Sequence, residues 1–271
     1  MEQQKLFKKA REIRKQNNIK AIIRGVIEIS SHCRKQCKYC PMSNMNKNFS
    51  RFRLKAEQII EIAKIIRKED IEILFLQSGE DILVPELLIP ILPKIKELGF
   101  TEIIGNFGDL NKNDLSLLKN NGLDGYISKF ETSNEKIHKG ARGYQLAKRI
   151  YFINSLFSLQ FRVGVGSIVG LPNQRIEDMA QDIILTNNLT PQMASVTPFI
   201  PAKNTPYANN KPGDINYVLN TIAILRIMNP RISIPAVSAL EKLRPGGQFK
   251  GLLAGANTST VNFTPKANRD N

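Results

Sequence analysis

Residues 25–40 of the chain read GVIEISSHCRKQCKYC, a short β-rich run followed at once by three cysteines. Val26, Ile27 and Ile29 give the run 25–30 the character of a strand. Cys33, Cys37 and Cys40 are the only cysteines in a chain of 271 residues. An odd number within eight positions is a poor disulfide framework. The triad therefore has to be explained as chemistry on a loop that leaves a strand.

Outward from this loop, strand-like and helix-like stretches alternate. After a basic amphipathic lead over 4–16, the β-rich runs are 25–30, 71–77, 101–105, 125–131, 161–169, 193–199, 231–236 and 258–263. Between them Leu, Ile and Ala recur at three- and four-residue spacing over 56–67, 85–98, 112–121, 144–156, 176–187, 216–227 and 247–254. Strands alternating with helices build parallel βαβ units. Eight of them predict an α/β fold, a (β/α)8 barrel truncated after its eighth strand, with chemistry in the loops at the C-terminal strand ends. The expected division is a single domain over 1–271: a basic helical lead (1–22), the barrel (23–265) and a tail (266–271).

Composition narrows the function classes. No apolar run approaches the roughly 18 residues of a membrane span. The first twenty residues are charged and polar, unlike a secretory signal, so a cytoplasmic protein is expected. The net charge is +15, which fits a solvated basic surface, an acidic protein partner or an anionic substrate. The chain has no Trp and no tight basic run interleaved with aromatics, which disfavours nucleic acid.

Three thiolates at this spacing can hold three irons of a [4Fe-4S] cluster and leave the fourth open, since such a cluster ordinarily takes four. An open position is how a catalytic metal keeps room for a reacting ligand. Arg34, Lys35 and Lys38 would offset the negative charge. The alternative is structural zinc, which wants a fourth ligand. His32 is too close to Cys33 for ordinary ligand spacing, and His138 lies far along the chain.

The CxxxCxxC loop, with Tyr39 before its last cysteine, resembles the signature of the radical S-adenosylmethionine (SAM) superfamily. The resemblance implies a [4Fe-4S] cluster on Cys33, Cys37 and Cys40 whose open iron is chelated by SAM. Reductive cleavage then gives a 5′-deoxyadenosyl radical that attacks a substrate. It carries over residue by residue. Ser78-Gly79-Glu80 stands where the superfamily's glycine–glutamate motif meets the amino group of SAM, with Gly79 also free to let backbone approach a ligand. Glu131 would contact ribose or amino group, and Arg149, with Arg142 as rival, would pair with the carboxylate. A helix-capping role is open to Thr132 or Ser133. Ile168, Phe199 and Ile200 would cradle adenine. Tyr39 belongs to the same cofactor set. Lys129, Ser238 and Thr260, near strand ends, are the candidates for catalytic contact with substrate.

Within the superfamily, "LQSGED", "FETS", "IVGLPNQ", "PFIPAKNTPYAN" and "GLLAGANTSTVNFTP" are most similar to [FeFe]-hydrogenase maturases of the HydE type, in a group that also holds biotin synthase and methylornithine synthase. That implies a small or organometallic substrate and an acidic electron donor such as a flavodoxin or ferredoxin. Lys129 stands where HydE-like proteins often place an arginine. With no cysteine left for an auxiliary cluster, sulfur insertion of the biotin synthase kind is disfavoured, while mutase chemistry stays open. The reading from a different class is a non-catalytic iron–sulfur or metal-binding accessory protein.

Overall fold

The computed structural model describes residues 2–269. Seven strands form one sheet: β1 (Ile22–Ser30), β2 (Ile73–Ser78), β3 (Glu102–Asn106), β4 (Gly125–Ile127), β5 (Arg162–Val169), β6 (Met193–Pro198) and β7 (Thr258–Asn262). Their order is β6-β5-β4-β3-β2-β1-β7, and every pairing is parallel. Chain neighbours are thus spatial neighbours, and the last strand returns to the first, as in a barrel.

The segment 231–236, expected as a strand, forms no ladder. It sits between β6 and β7 and touches each through a single bridge, Met193 with Ser233 and Pro235 with Thr258. Ala194 N donates to Ser233 O at 2.9 Å and Ala236 N to Thr258 O at 2.8 Å, so main-chain bonds still complete the ring. Pro235 has no N–H to give, which keeps the segment from extending its pairing.

The helices are α1 (Glu2–Gln16), α2 (Ala56–Lys68), α3 (Val84–Leu88), α4 (Leu92–Lys96), α5 (Lys112–Asn120), α6 (Glu135–Arg142), α7 (Leu146–Ser158), α8 (Ile176–Leu189), α9 (Ile215–Met228), α10 (Ser238–Leu243), α11 (Gly247–Leu253) and α12 (Lys266–Arg269). They cover the outside of the ring. In α2 the buried residues Ile59, Ile62, Ala63 and Ile66 follow a three-and-four spacing and pack over Ile27 and Ile29 of β1. A Cβ on Gly25 would lie 2.5 Å from Ile66 Cγ2, so only glycine lets strand and helix close up there. Among the described residues no helix is long and apolar enough to cross a membrane.

Other elements differ from expectation as well. The helix over 85–98 is two short ones, because Pro90 and Pro93 withhold N–H donors. The strand over 125–131 stops at Ile127, and Glu131 has φ 67°, a left-handed conformation no strand can continue through. Between 131 and 144 lies α6, which was not expected. Asn134 caps it by accepting from Ile137 N, and Gly143 ends it with φ 81°.

Candidate cofactor site

The cysteine loop leaves β1 and is tied down before it reaches α2. Arg51 Nη1 donates to Ser31 O at 2.6 Å and to Met42 O at 2.7 Å, while Nη2 donates to Ser43 O at 2.8 Å and Asn46 O at 3.3 Å. One guanidinium thus clasps the loop on both sides of the cysteines. Arg53 pairs bidentately with Asp81 at 2.7 and 2.9 Å, joining the loop to the end of β2. Arg51→Ala is expected to lower stability by about 2 kcal/mol, as buried carbonyls lose charged donors. Cluster retention should fall with it, measured as iron per chain after anaerobic reconstitution, and full retention would show that the clasp is dispensable.

Gly79 borders the cavity beside the cysteines and is also pressed against their loop. A Cβ there would sit 2.3 Å from His32 O and 2.7 Å from Cys33 Cβ, so the glycine lets the end of β2 press against the cysteines. Next to it, Glu80 N donates to Cys33 Sγ at 3.3 Å. Burial pushes the Cys37 thiol up and the Cys40 thiol up to about 12. Thiolates in such surroundings need metal to hold the charge. Among the described residues no three His, Cys, Asp or Glu side chains converge on a point suited to one metal ion. Thiols set side by side along a cavity wall suit a cubane, in which each thiolate meets its own iron, better than tetrahedral zinc. His138 is buried, with Nδ1 2.7 Å from Phe130 O, well placed for packing rather than ligation.

The three cysteines share a cavity of about 310 Å³ with Glu131, Arg142 and Arg149. Tyr39 donates to Glu131 Oε1 at 2.7 Å, Arg142 Nη1 approaches the same oxygen at 3.5 Å, and Lys129 Nζ lies 3.9 Å from Oε2. Burial alone would raise the Glu131 carboxyl, but Lys129, Arg142 and Tyr39 together hold it below the ordinary carboxylate range. Its Oε2 is buried without a hydrogen-bond partner.

Arg149, 2% exposed, is braced by Ser128 Oγ at 2.6 Å, by the Tyr144 hydroxyl and by an ion pair to Asp109 at 2.6 Å. Its Nε is also buried and unpartnered. Arg142 reaches the same Tyr144 oxygen, so the two arginines named as rivals stand side by side. An orphan carboxylate oxygen and an orphan guanidinium N–H beside one cavity fit a ligand that brings both a donor and an acceptor, as SAM does.

Glu80 does not stand free. Its carboxylate meets Arg34 at 2.7 Å and Lys35 at 3.3 Å and accepts from Asp109 N at 2.8 Å. Ser78 turns its hydroxyl to Gly79 O at 2.6 Å. Ile168 and Phe199 come together in a small apolar cluster with Leu171, flanked by Tyr39, Ile137 and Tyr207, whereas Ile200 is half-buried outside it. Thr132 and Ser133 cap no helix: Asn134 has that place, and their hydroxyls donate to Asp182 at 3.2 and 2.7 Å.

A second cavity of about 420 Å³ fills the barrel interior and gathers Lys129, Ser238 and Thr260, with Arg24, Glu28 and Lys242 among its other charges. Gln77, Asn106 and Lys129 border both cavities. Arg51, Asp109, Tyr144 and Asp182 escaped the sequence reading. Nothing local marks an aspartate whose partners lie tens of positions away, and Arg51 meets Ser31, Met42, Ser43 and Asn46 only because the loop folds around it. Tyr144, just past the glycine that ends α6, had a faint local signal.

Burial, partly offset by Ser133 and Thr132 and reinforced by Asp178, raises the Asp182 carboxyl from 3.8 to about 6. The folded state thus keeps a proton that the unfolded chain has lost, so this contribution to stability is present below about pH 4 and is lost as pH rises through about 6. The stability difference between Asp182→Asn and the parent should therefore shift in favour of the variant by on the order of 2–3 kcal/mol between pH 4 and 6. Denaturant titration across that range reads it, and parallel curves would sink it.

The chain matches the Radical SAM superfamily over residues 27–185. It is 35% identical over 267 residues to the [FeFe] hydrogenase maturase subunit HydE of Thermotoga maritima, covering 97% of this chain and 76% of that one. It is 27% identical to 3-methylornithine synthase of Methanosarcina acetivorans, over 96% of this chain and 74% of that protein. In fold it is similar to the crystal structure of methylornithine synthase (PylB), with TM-score 0.86 and 24% identity over 95% of this chain and 77% of that one. The chain belongs to the radical SAM superfamily. It is an enzyme whose cofactors are a [4Fe-4S] cluster and SAM, and its reaction begins with SAM cleavage at that cluster.

Proposed function

We propose that Cys33, Cys37 and Cys40 hold the cluster, that SAM occupies the cavity beside them, and that a small substrate of the kind handled by HydE-type maturases sits in the barrel interior. When bound, the cluster supplies the electron that splits a carbon–sulfur bond of SAM. Arg149 and Arg142 receive the carboxylate end of SAM, Glu131 accepts from its ribose or amino group, and Ile168 and Phe199 back the adenine behind Tyr39. Glu80 secures the loop, with its backbone N–H on Cys33. The observation that carries the reading is the shared border of the two cavities, where Gln77, Asn106 and Lys129 let reaction partners meet away from water. Lys129, Ser238 and Thr260 orient the substrate. HydE is favoured over methylornithine synthase by 35% against 27% identity.

Exposed Arg34 over the cluster loop and the net charge of +15 support an acidic electron donor such as a flavodoxin or ferredoxin in the cytoplasm. The test is anaerobic reconstitution. The cluster spectrum should change on adding SAM, and reduction should release 5′-deoxyadenosine and methionine. Glu131→Gln should weaken the SAM-induced change at least tenfold, the loss of a charged hydrogen-bond acceptor. A cluster indifferent to SAM would leave the accessory-protein reading standing.

A further inference from the structure

Glu131 is the one non-glycine residue in the cofactor cavity with a left-handed backbone, φ 67°. Such a conformation persists only where the surroundings over-determine it. On one side β5 does so: Glu131 N donates to Gly166 O at 3.0 Å, and Ile168 N donates to Glu131 O at 2.7 Å. On the other side stands Asp182, on α8 and 2% exposed. Its Oδ1 accepts from the backbone N–H and the hydroxyl of Ser133 and from the Thr132 hydroxyl, at 2.5, 2.7 and 3.2 Å. Its Oδ2 accepts from Gln174 Nε2 at 3.1 Å.

Gln174 carries the connection onward. The same Nε2 donates to Ile168 O at 3.0 Å, and Oε1 accepts from Gly170 N at 2.6 Å and Leu171 N at 3.2 Å. One carboxylate thus fastens the turn after β4, which carries Glu131, to the last residues of β5, where Ile168 lies, and to the turn at Gly170 and Leu171 that follows. Asp178, one helical turn earlier, secures the same segment through Asn134 at 2.8 Å. Neither aspartate lines the cofactor cavity.

We propose that Asp182 is a positioning residue that locks the Glu131 turn to the C-terminal end of β5 and the Gly170–Leu171 turn, so that the ribose and adenine sides of the SAM site form a single rigid unit. The inference rests on the proposed placement of SAM against Glu131 and Ile168. Its physical content is pre-organisation: a ligand that finds both turns already ordered does not have to order them on binding.

The test uses the cluster-loaded full chain and reads the dissociation constant of SAM from the change in cluster spectrum, at a temperature where all variants are folded. Asp182→Asn keeps an acceptor for Ser133 but sets an amide NH2 against that of Gln174, so it cuts the tie between turns with little change in shape. Expected is wild-type iron content with SAM binding weakened about tenfold, the size of one lost buried hydrogen-bonded link. In the double variant with Glu131→Gln the losses should fail to multiply, because Asp182 acts through Glu131. If Asp182→Asn does not fold, Ser133→Ala removes one donor and should show a smaller loss of the same kind. SAM binding within twofold of wild type, a lowered melting temperature alone, or multiplicative losses would each overturn the proposal. Unchanged binding in Glu131→Gln would instead bring down the SAM placement, and this inference with it.

Discussion

Cys37→Ala is expected to give a folded chain with little iron after reconstitution and 5′-deoxyadenosine at background. Cys37 is the middle cysteine of the triad and 4% exposed, in contact with the cavity that also holds Glu131 and Arg142. Loss of one thiolate leaves a second iron of the cubane without a protein ligand, and no other cysteine exists to replace it. The structural cost of deleting a thiol is small, about 1 kcal/mol, so the melting temperature separates loss of ligand from loss of fold. Iron and sulfide analysis alongside product chromatography would check it. Four irons per chain with undiminished product would remove the triad from the mechanism.

The second large effect lies far from the cofactor. Arg226→Met is expected to destabilise the protein by about 3 kcal/mol, since buried acceptors would lose charged donors. For a chain of this size that is on the order of 6–10 °C in Tm, read by calorimetry. Arg226 is 0% exposed and has no carboxylate partner among the described residues. Its guanidinium donates to Gly255 O at 2.9 Å, Pro230 O at 2.8 Å and Asn257 Oδ1 at 2.9 Å. Asn257 Oδ1 also accepts from Ile234 N at 2.9 Å, so the arginine braces the segment that completes the ring. Burial, with Arg14 nearby, lowers this guanidinium to about 10, a measure of how dry the site is. A methionine fills the volume yet leaves Gly255 O and Pro230 O unpaired and takes one of two donors from Asn257 Oδ1. An unchanged Tm would mean that water reaches them. Activity per folded chain should stay unaltered, because this brace stands apart from the cavities.

How much could be read in advance follows the range of the interactions. The α/β alternation was legible because helix and strand periods are local, and the ring follows from eight such units. Pro90, Pro93 and Pro235 were equally visible, but whether each ends an element depends on which donors its neighbours need. Helix α6 went unread although Asn134 and Gly143 bracket it, since its eight residues are too few for a clear apolar stripe. Glu80 and Glu131 both looked like ligand carboxylates at strand ends. Only the fold distinguished them, giving Glu80 to Arg34 and Lys35 while leaving an oxygen of Glu131 unpartnered.

By itself the sequence determined the cluster chemistry: the spacing of Cys33, Cys37 and Cys40 is set within eight residues, and covalent connectivity brings those thiols together in any fold that makes the loop. It also determined the succession of parallel units that places the loop at a strand's end. Tertiary structure decided which charges remain available to a ligand, which glycine serves packing, and that Asp182 and Arg51 hold the site from behind. Those outcomes depend on burial and on partners far apart in the chain, 92 positions for Tyr39 and Glu131, and such contacts exist only once the ring has closed.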